Sequence, residues 1–283
     1  MADLISVIVA TYERPDALDA VLRGLARQSD RRFEIVVADD GSGPQTRQVV
    51  EQWRSRIGVP VQHVWHEDRG FRLAEIRNRG ILAARGDYCV FLDGDCIPRP
   101  DFIAQHRRLS EHGNFVSGNR VLLSEDLTRE VLAKGLAPEQ WSTLALMRRS
   151  LAGEVNRWTP AVHLWLGPLR KLARGRWQGA RTCNLGVARS DLLRVDGFDA
   201  SFSGWGFEDS DLAVRLMRSG TQRKDGRFAT GVLHLWHPER DRSRAAENRA
   251  ALEEVIRGDR VRALRGLSTL STDATPDGAR RVG

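Results

Sequence analysis

Short β-prone apolar runs alternate with helical patterns over the first hundred residues, and the runs end in polar or acidic residues. Residues 7–10 read as a buried strand. Pro15-Asp16 then opens a helix whose Leu18, Val21, Leu22 and Leu25 recur at helical spacing. Residues 33–38 form a second strand and end at Asp39-Asp40-Gly41. A polar helix over 45–56 follows, with Val49, Val50 and Trp53 on its inner face. Residues 61–65 are a third strand, 73–85 a helix closed by Gly86, and 88–92 a fourth strand. This order predicts an α/β fold with a mostly parallel central sheet flanked by helices. Ligands bind such sheets beyond the carboxyl ends of the strands. Ala10-Thr11-Tyr12, Asp39-Asp40 and Asp93-Gly94-Asp95 all fall there.

The fourth strand ends most abruptly. Tyr88-Cys89-Val90-Phe91-Leu92 runs straight into Asp93-Gly94-Asp95. Charge at the end of a buried strand is costly unless it is paired, and a divalent cation is a common partner. Gly94 lets the backbone turn and a ligand approach. Such an oxygen-rich site suits Mg²⁺ or Mn²⁺ shared with substrate phosphates. A solvated turn after a strand is the plainer reading of these residues alone. The acidic pair at the end of the second strand shifts the balance toward a site.

Composition narrows the class. The chain has no run of 18 apolar residues, so no transmembrane helix is expected. Its N-terminus enters a strand without the features of a signal peptide, and three cysteines (Cys89, Cys96, Cys183) lack metal-ligand spacing. Both fit a cytoplasmic protein with structural or incidental thiols. The net charge of +7 favours an anionic partner such as nucleotide phosphates, anionic lipid or nucleic acid. Arginine outnumbers lysine 41 to 3, so genomic bias also feeds this charge.

The second half is less regular. Residues 134–181 carry nine Lys/Arg against two Asp/Glu, interleaved with Trp141, Trp158, Trp165 and Trp177. Leu164, Trp165, Leu166, Leu169 and Leu172, with Arg170, Lys171 and Arg174, fit an amphipathic helix at an anionic membrane surface. Packing of the tryptophans into the core, with solvated arginines, fits equally well. A helix is expected over 212–218, a charged helix over 242–267, and a flexible tail over 268–283.

Gly204-Trp205-Gly206 forms a bendable loop with a flat surface on which a sugar can stack. Glu208, Asp209 and Asp211 follow near a helix N-terminus, where the dipole stabilises anions. An N-terminal capping cluster explains the acids but not the Gly-Trp-Gly before them. His234 and His237 lie three apart in a strand-like run, which would set them on opposite faces and leave at most one as a metal ligand. Arg72, Arg77 and Asn78 lie on the helix leading into the Asp-Gly-Asp strand. Guanidinium groups suit pyrophosphate, but arginines are too frequent for position alone to single one out.

Taken together, Ser6-Val-Ile-Val-Ala-Thr-Tyr-Glu-Arg, Val36-Val-Ala-Asp-Asp-Gly-Ser, Arg77-Asn-Arg-Gly and Phe91-Leu-Asp-Gly-Asp-Cys-Ile-Pro resemble a family 2 glycosyltransferase of the GT-A fold. Gly204-Trp-Gly-Phe-Glu-Asp-Ser-Asp resembles the C-terminal motif of β-1,4-galactosyltransferases and bacterial chondroitin polymerase domains. The resemblance covers roughly residues 4–240; residues 110–180 and the C-terminal tail carry none of its motifs.

The resemblance implies a Rossmann-like GT-A domain with a helical C-terminal extension. Residues 1–110 would bind the nucleotide-sugar, 111–240 the acceptor, and 241–283 would form a helix and tail. It implies that Tyr12 and Asp40 hold the uracil ring and Ala10 gives backbone contact. Arg72 would approach the diphosphate and Asp93 the ribose or donor sugar. Asp95 and His237 would ligate Mn²⁺ or Mg²⁺, with the histidine favouring Mn²⁺. Asp209 would be the base, beside Glu208, with Trp205 and Gly206 at the acceptor. In the galactosyltransferases a methionine stands where this chain has His234.

The expected activity is inverting, metal-dependent transfer of a hexose or N-acetylhexosamine from a UDP-sugar to a glycan or glycolipid hydroxyl. Bacterial surface polysaccharide or lipopolysaccharide synthesis would suit it, in the cytoplasm or peripherally on the inner membrane face. A nucleic-acid-binding protein is the rival that basicity favours, yet the chain has no such motif and its acidic clusters would repel phosphates. No nucleic acid is therefore expected. A nucleotidyltransferase would need a glycine-rich, lysine-containing loop after the first strand, where this chain has Ala10-Thr-Tyr-Glu-Arg-Pro.

Overall fold

The structure is a computed structural model that describes residues 1–239 and 241–270. Four parallel strands form its first half: β1 (Ile5–Thr11), β2 (Phe33–Asp39), β3 (Val61–Trp65) and β4 (Tyr88–Asp93). The second half extends the same sheet with β6 (Asn114–Ser117), β8 (Asn184–Ala188) and β9 (Gln222–Asp225), giving the order β3-β2-β1-β4-β8-β6-β9. β8 enters antiparallel between β4 and β6, and β9 runs parallel to β6. A small second sheet sets β10 (Val232–His234) between β5 (Cys96–Pro98) and β7 (Arg120–Leu122).

Both faces of the main sheet are covered, and the strand sequences show why. Ile5, Val7 and Val9 of β1 join one apolar cluster, while Ile8 joins another. β4 repeats the split, with Tyr88, Val90 and Leu92 on the first side and Cys89 and Phe91 on the second. The first cluster takes Leu18, Leu22 and Leu25 of α1 (Pro15–Ala26). The second takes Ile76 and Ile81 of α3 (Leu73–Ala83), and Leu212 and Leu216 of α8 (Glu208–Arg218). Phe91 meets Phe198 edge-on at 5.1 Å between centroids, worth about 1 kcal/mol beyond area burial.

Four expectations are corrected. The 164–174 segment is not an amphipathic helix but a 3-10 turn, Gly167–Lys171, within irregular chain. Gly167 has φ +46°, and Arg170 turns inward to donate to the carbonyls of Asp225, Arg227 and Leu164 at 2.8, 2.8 and 2.9 Å. The helix expected at Leu212 starts at Glu208, so the acidic residues form its first turn. The charged helix expected over 242–267 is α9 (Ala245–Arg257), which stops at extended Gly258. The chain beyond it docks: Ser268 donates to both carboxylate oxygens of Asp196, at 2.9 and 2.7 Å. The rest of the expected tail, 271–283, lies outside the described residues.

Candidate active site

The ends of β1 and β4 lie side by side, with Ala10 in register with Asp93. Gly94 N donates to Ala10 O at 2.7 Å. A Cβ on residue 94 would sit 3.0 Å from Ala10 O and from the Thr11 side chain, so this tight return favours glycine. The turn delivers Asp95 to β5, whose Cys96 pairs with His234 of β10. Leu235 N then donates to Asp95 O at 2.9 Å.

That pairing brings both histidines to one carboxylate. His234 Nε2 is 3.5 Å from Asp95 Oδ1, and His237 Nε2 is 3.5 Å from Asp95 Oδ2. The expectation that a continuous strand sets the two histidines on opposite faces does not hold, since both rings reach Asp95. β10 stops at His234, Trp236 N is caught by Thr128 Oγ1 at 2.8 Å, and the chain turns His237 back. The opposite-face rule applies only within a strand. His237 Nδ1 donates to Pro238 O at 2.7 Å, which leaves Nε2 as the ring nitrogen that faces Asp95. Burial lowers the His234 pKa and keeps that ring neutral. Two imidazole nitrogens and a carboxylate form a donor set that fits Mn²⁺ better than Mg²⁺.

A second cluster gathers around Arg77. This guanidinium is 2% exposed and donates to Asp93 at 2.9 Å and Glu208 at 3.1 Å. It also lies 5.5 Å from the centre of the Phe198 ring. Glu208 Oε2 is buried and, among the described residues, has no hydrogen-bond partner. Burial, then the charge of Glu208, pushes the Asp209 carboxyl up to about 7, with Arg77 pulling the other way. An acid tuned there can take a proton near neutral pH.

The loop before α8 is bent sharply. Gly204 and Gly206 have φ +76° and +108°, and Phe207 has φ +74°. A left-handed aromatic residue stores about 1–3 kcal/mol, and such strain gathers where geometry serves function. Trp205 is 37% exposed, under the Arg242 guanidinium at 4.6 Å. Asn248 of α9 clasps the loop, donating to Ser203 O at 3.1 Å and Trp205 O at 3.4 Å.

At the ends of β1 and β2, Asp40 is buried. Its two oxygens meet His66 Nε2 at 2.7 Å and Arg72 N at 3.0 Å. Tyr12 donates its hydroxyl to Asp68 at 3.0 Å. The Arg72 side chain turns toward its own helix, to Glu75 at 3.2 Å and to the carbonyl of Glu67. It borders a cleft of about 380 Å³ that also touches Ser203 and Gly204 of the Gly-Trp-Gly loop.

The structure thus joins Asp95, His234 and His237 in one group and Asp93, Glu208 and Arg77 in another. Asp209 follows Glu208 on α8, and Ala10 lies against Gly94. Tyr12, Asp40 and Arg72 form a separate patch. Sequence reasoning passed over Arg77 as a hub, because its partners stand 16 and 131 residues away. It had no spacing signal for His66 on Asp40, nor for Cys183 beside Asp93 and Cys96.

The glycosyl transferase family 2 profile matches residues 6–165, and the profile described as the N-terminal domain of galactosyltransferase matches 172–237. Validoxylamine A glucosyltransferase of Streptomyces hygroscopicus subsp. jinggangensis is 29% identical over 81% of this chain and 55% of its own. Chondroitin synthase of Escherichia coli is 26% identical over 77% of this chain and 33% of its own. The chain therefore spans about half, or less, of the length of these relatives. In fold it is similar to the Pyrobaculum calidifontis mannosyltransferase PcManGT bound to GDP-Man and Mn²⁺ (TM-score 0.59, 19% identity, 91% of this chain and 65% of that one). It is similar also to GalNAc-T7 with UDP, GalNAc and Mn²⁺ (TM-score 0.61, 14% identity, 89% and 48%). The fold is GT-A, and with more than half its length matched by the family profile the chain belongs to glycosyl transferase family 2.

Proposed function

We propose that this glycosyltransferase is inverting and cation-dependent, moving a hexose or N-acetylhexosamine from a UDP-sugar to a hydroxyl of a glycan or glycolipid. The observation that carries the reading is the shared Arg77. It ties the end of the Asp-Gly-Asp strand to Glu208, next to a carboxyl raised to about 7. In this reading residues 1–110 serve the nucleotide-sugar, 111–240 the acceptor and the chemistry, and 241–283 the C-terminal helix and tail.

Asp209 takes the proton of the acceptor hydroxyl as its oxygen bonds to the anomeric carbon. The bond from that carbon to the diphosphate oxygen breaks on the opposite face, which inverts the centre. Asp93 and Glu208 are held by Arg77 and serve as poor nucleophiles, which favours single displacement over a covalent intermediate. Asp95, His237 and His234 would hold the cation, which supplies positive charge to the departing diphosphate. Asp40 and Tyr12 border the uracil, Ala10 gives backbone contact, Asp93 meets ribose or sugar, and Arg72 swings from Glu75 to the diphosphate. Trp205 and Gly206 offer the acceptor a stacking face. Solved relatives of this fold hold UDP or GDP-Man with Mn²⁺, and synthases of chondroitin and hyaluronan are among the relatives, which supports a bacterial surface glycan as product.

The decisive experiment measures UDP release from a panel of UDP-sugars with Mn²⁺, using slow hydrolysis in place of an acceptor. One or two sugars should release UDP, and chelation should stop it. Release that is indifferent to chelator, or from GDP-sugars only, would refute the reading.

A second proposal concerns membrane contact. Trp165 and Leu172 are each 81% exposed and Leu169 59%, with Arg174 and Arg176 exposed nearby. Arg170 fixes this segment to the loop after β9, so the apolar side chains stand out from a rigid support. Such a surface fits peripheral binding to anionic lipid on the cytoplasmic face, close to a lipid-linked acceptor. Among the described residues, no helix is long and apolar enough to cross a membrane. Sedimentation with phosphatidylglycerol vesicles at low salt should carry the protein down, and Trp165→Ser with Leu172→Ser should leave it in solution.

A further inference from the structure

The mechanism uses neither Cys96 nor Cys183, yet both thiols stand against its carboxylates. One oxygen of Asp93 and the sulfurs of Cys96 and Cys183 all lie within 4.8 Å of one another. Cys96 Sγ also falls within 4.8 Å of both an Asp95 oxygen and a His234 nitrogen, and its contact with Asp95 Oδ1 is 3.6 Å. Cys96 is thus shared by two ligand-capable trios. The thiols come from different elements: Cys96 opens β5, and Cys183 precedes β8, the strand paired with β4. Both are buried and free, and neither forms a disulfide. Arg120 adds positive charge beside this group of sulfurs and carboxylates.

We propose that Cys96 and Cys183, with Asp93 or the Asp95–His234 pair, form a site for a thiophilic divalent cation such as Zn²⁺ or Cd²⁺, and that filling it shuts out the productive cation. Tetrahedral ligands at about 2.3 Å from Zn²⁺ stand about 3.8 Å apart, so groups already this close need only side-chain rotation to converge. Sulfur ligands select Zn²⁺ and Cd²⁺ over Mn²⁺ and Mg²⁺, whereas an imidazole–carboxylate set alone does not exclude Mn²⁺. Each thiol that binds gives its proton to water as the sulfur–metal bond forms, and no electron moves. The bound ion engages a carboxylate at the Asp-Gly-Asp turn, which sets the two cations in competition. The binding half of the inference stands on these residues alone, whereas the competition half rests on Asp95 holding the productive cation.

Cd²⁺ titration of the intact, nucleotide-free chain tests the binding half through the ultraviolet sulfur-to-cadmium charge-transfer band. A saturable band at one ion per chain is expected. Cys96→Ser and Cys183→Ser should each weaken Cd²⁺ binding by about tenfold or more and diminish the band, whereas Cys89→Ser should leave both unchanged. Far-UV circular dichroism checks that each serine variant is folded. Mn²⁺ relaxation with UDP then reads competition: one equivalent of Cd²⁺ should displace Mn²⁺ from the wild type, and Cys183→Ser should need about tenfold more. Absence of the band, or its survival in both serine variants, overturns the site. A normal band with Mn²⁺·UDP binding undisturbed overturns the competition. Failure of Mn²⁺·UDP to bind at all would count against the proposed function instead, since the Cd²⁺ band needs no nucleotide.

Discussion

Arg77 donates to Glu208 at 3.1 Å and so joins α3 to the first turn of α8 across 131 residues of sequence. Its other nitrogen reaches Asp93 at 2.9 Å, at the end of the central strand β4. One buried guanidinium therefore holds the end of β4 and the helix that carries Asp209 in a fixed relation. It also offsets part of the push that burial and Glu208 exert on Asp209.

Replacing Arg77 should be costly in two ways. Arg77→Met leaves Asp93 and Glu208 without their cation, and breaking a buried pair from one side costs about 3–5 kcal/mol. Asp93 is partly exposed, so the lower figure is expected. Urea unfolding checks it. Removing the positive charge also raises the Asp209 pKa further, so the acid limb of the rate profile should move to higher pH. Arg77→Lys should not restore the wild type, since an ammonium cannot span both partners as a planar fork does.

Asp209→Asn should lower turnover about 10²–10⁴-fold. Calorimetry with UDP and Mn²⁺ should show binding within about threefold of wild type, because uniform binding is untouched when only the base is lost. Near-normal turnover in this variant would remove Asp209 from the chemistry.

The pH dependence of activity follows from the same carboxyl. A base must be ionised, so kcat/KM should rise with pH through about 7, the value to which burial and Glu208 push Asp209. Stability runs the opposite way. The folded-state pKa lies above the unfolded value, so between the ordinary carboxylate range and about pH 7 the folded chain binds the extra proton. This contribution is complete below the unfolded pKa and is lost as pH rises through about 7. Urea midpoints between pH 5 and 8 should show the loss in the wild type, and Asp209→Asn should abolish it.

How much of this was legible in the sequence depended on the range of the interaction. The β1 to β4 alternation is local: apolar runs and the proline that opens α1 identify those elements, and the glycine of Asp-Gly-Asp reflects a backbone approach set by adjacent strands. The 164–174 segment misled because leucine spacing matched a helix. The buried Arg170, drawn onto three carbonyls, decided otherwise, and those acceptors are set by the tertiary fold. The histidines misled for a related reason. Their spacing fits a continuous strand, whereas β10 ends at His234 because Trp236 N is taken by Thr128, a residue 108 positions earlier. The Arg77 hub was illegible altogether, since among so many arginines only folding distinguishes the one that joins Asp93 to Glu208.

The paired histidines lead to the last expectation. His234 and His237 approach opposite oxygens of Asp95 at the same 3.5 Å, so neither has a geometric claim over the other as a ligand. They differ in surroundings: His234 lies at the end of β10, buried, while His237 is more exposed and has its tautomer set by Pro238 O. If both bind the cation, His234→Ala and His237→Ala should each weaken Mn²⁺·UDP by about 10–100-fold, and Asp95→Ala by more. Electron paramagnetic resonance of free Mn²⁺ reads this directly. Glutamine at position 234 should recover part of the loss with Mg²⁺ but less with Mn²⁺, because an oxygen ligand replaces nitrogen. Unchanged Mn²⁺ affinity in His234→Ala would reduce the protein set to Asp95 and His237 and leave His234 as a structural neighbour of Asp95.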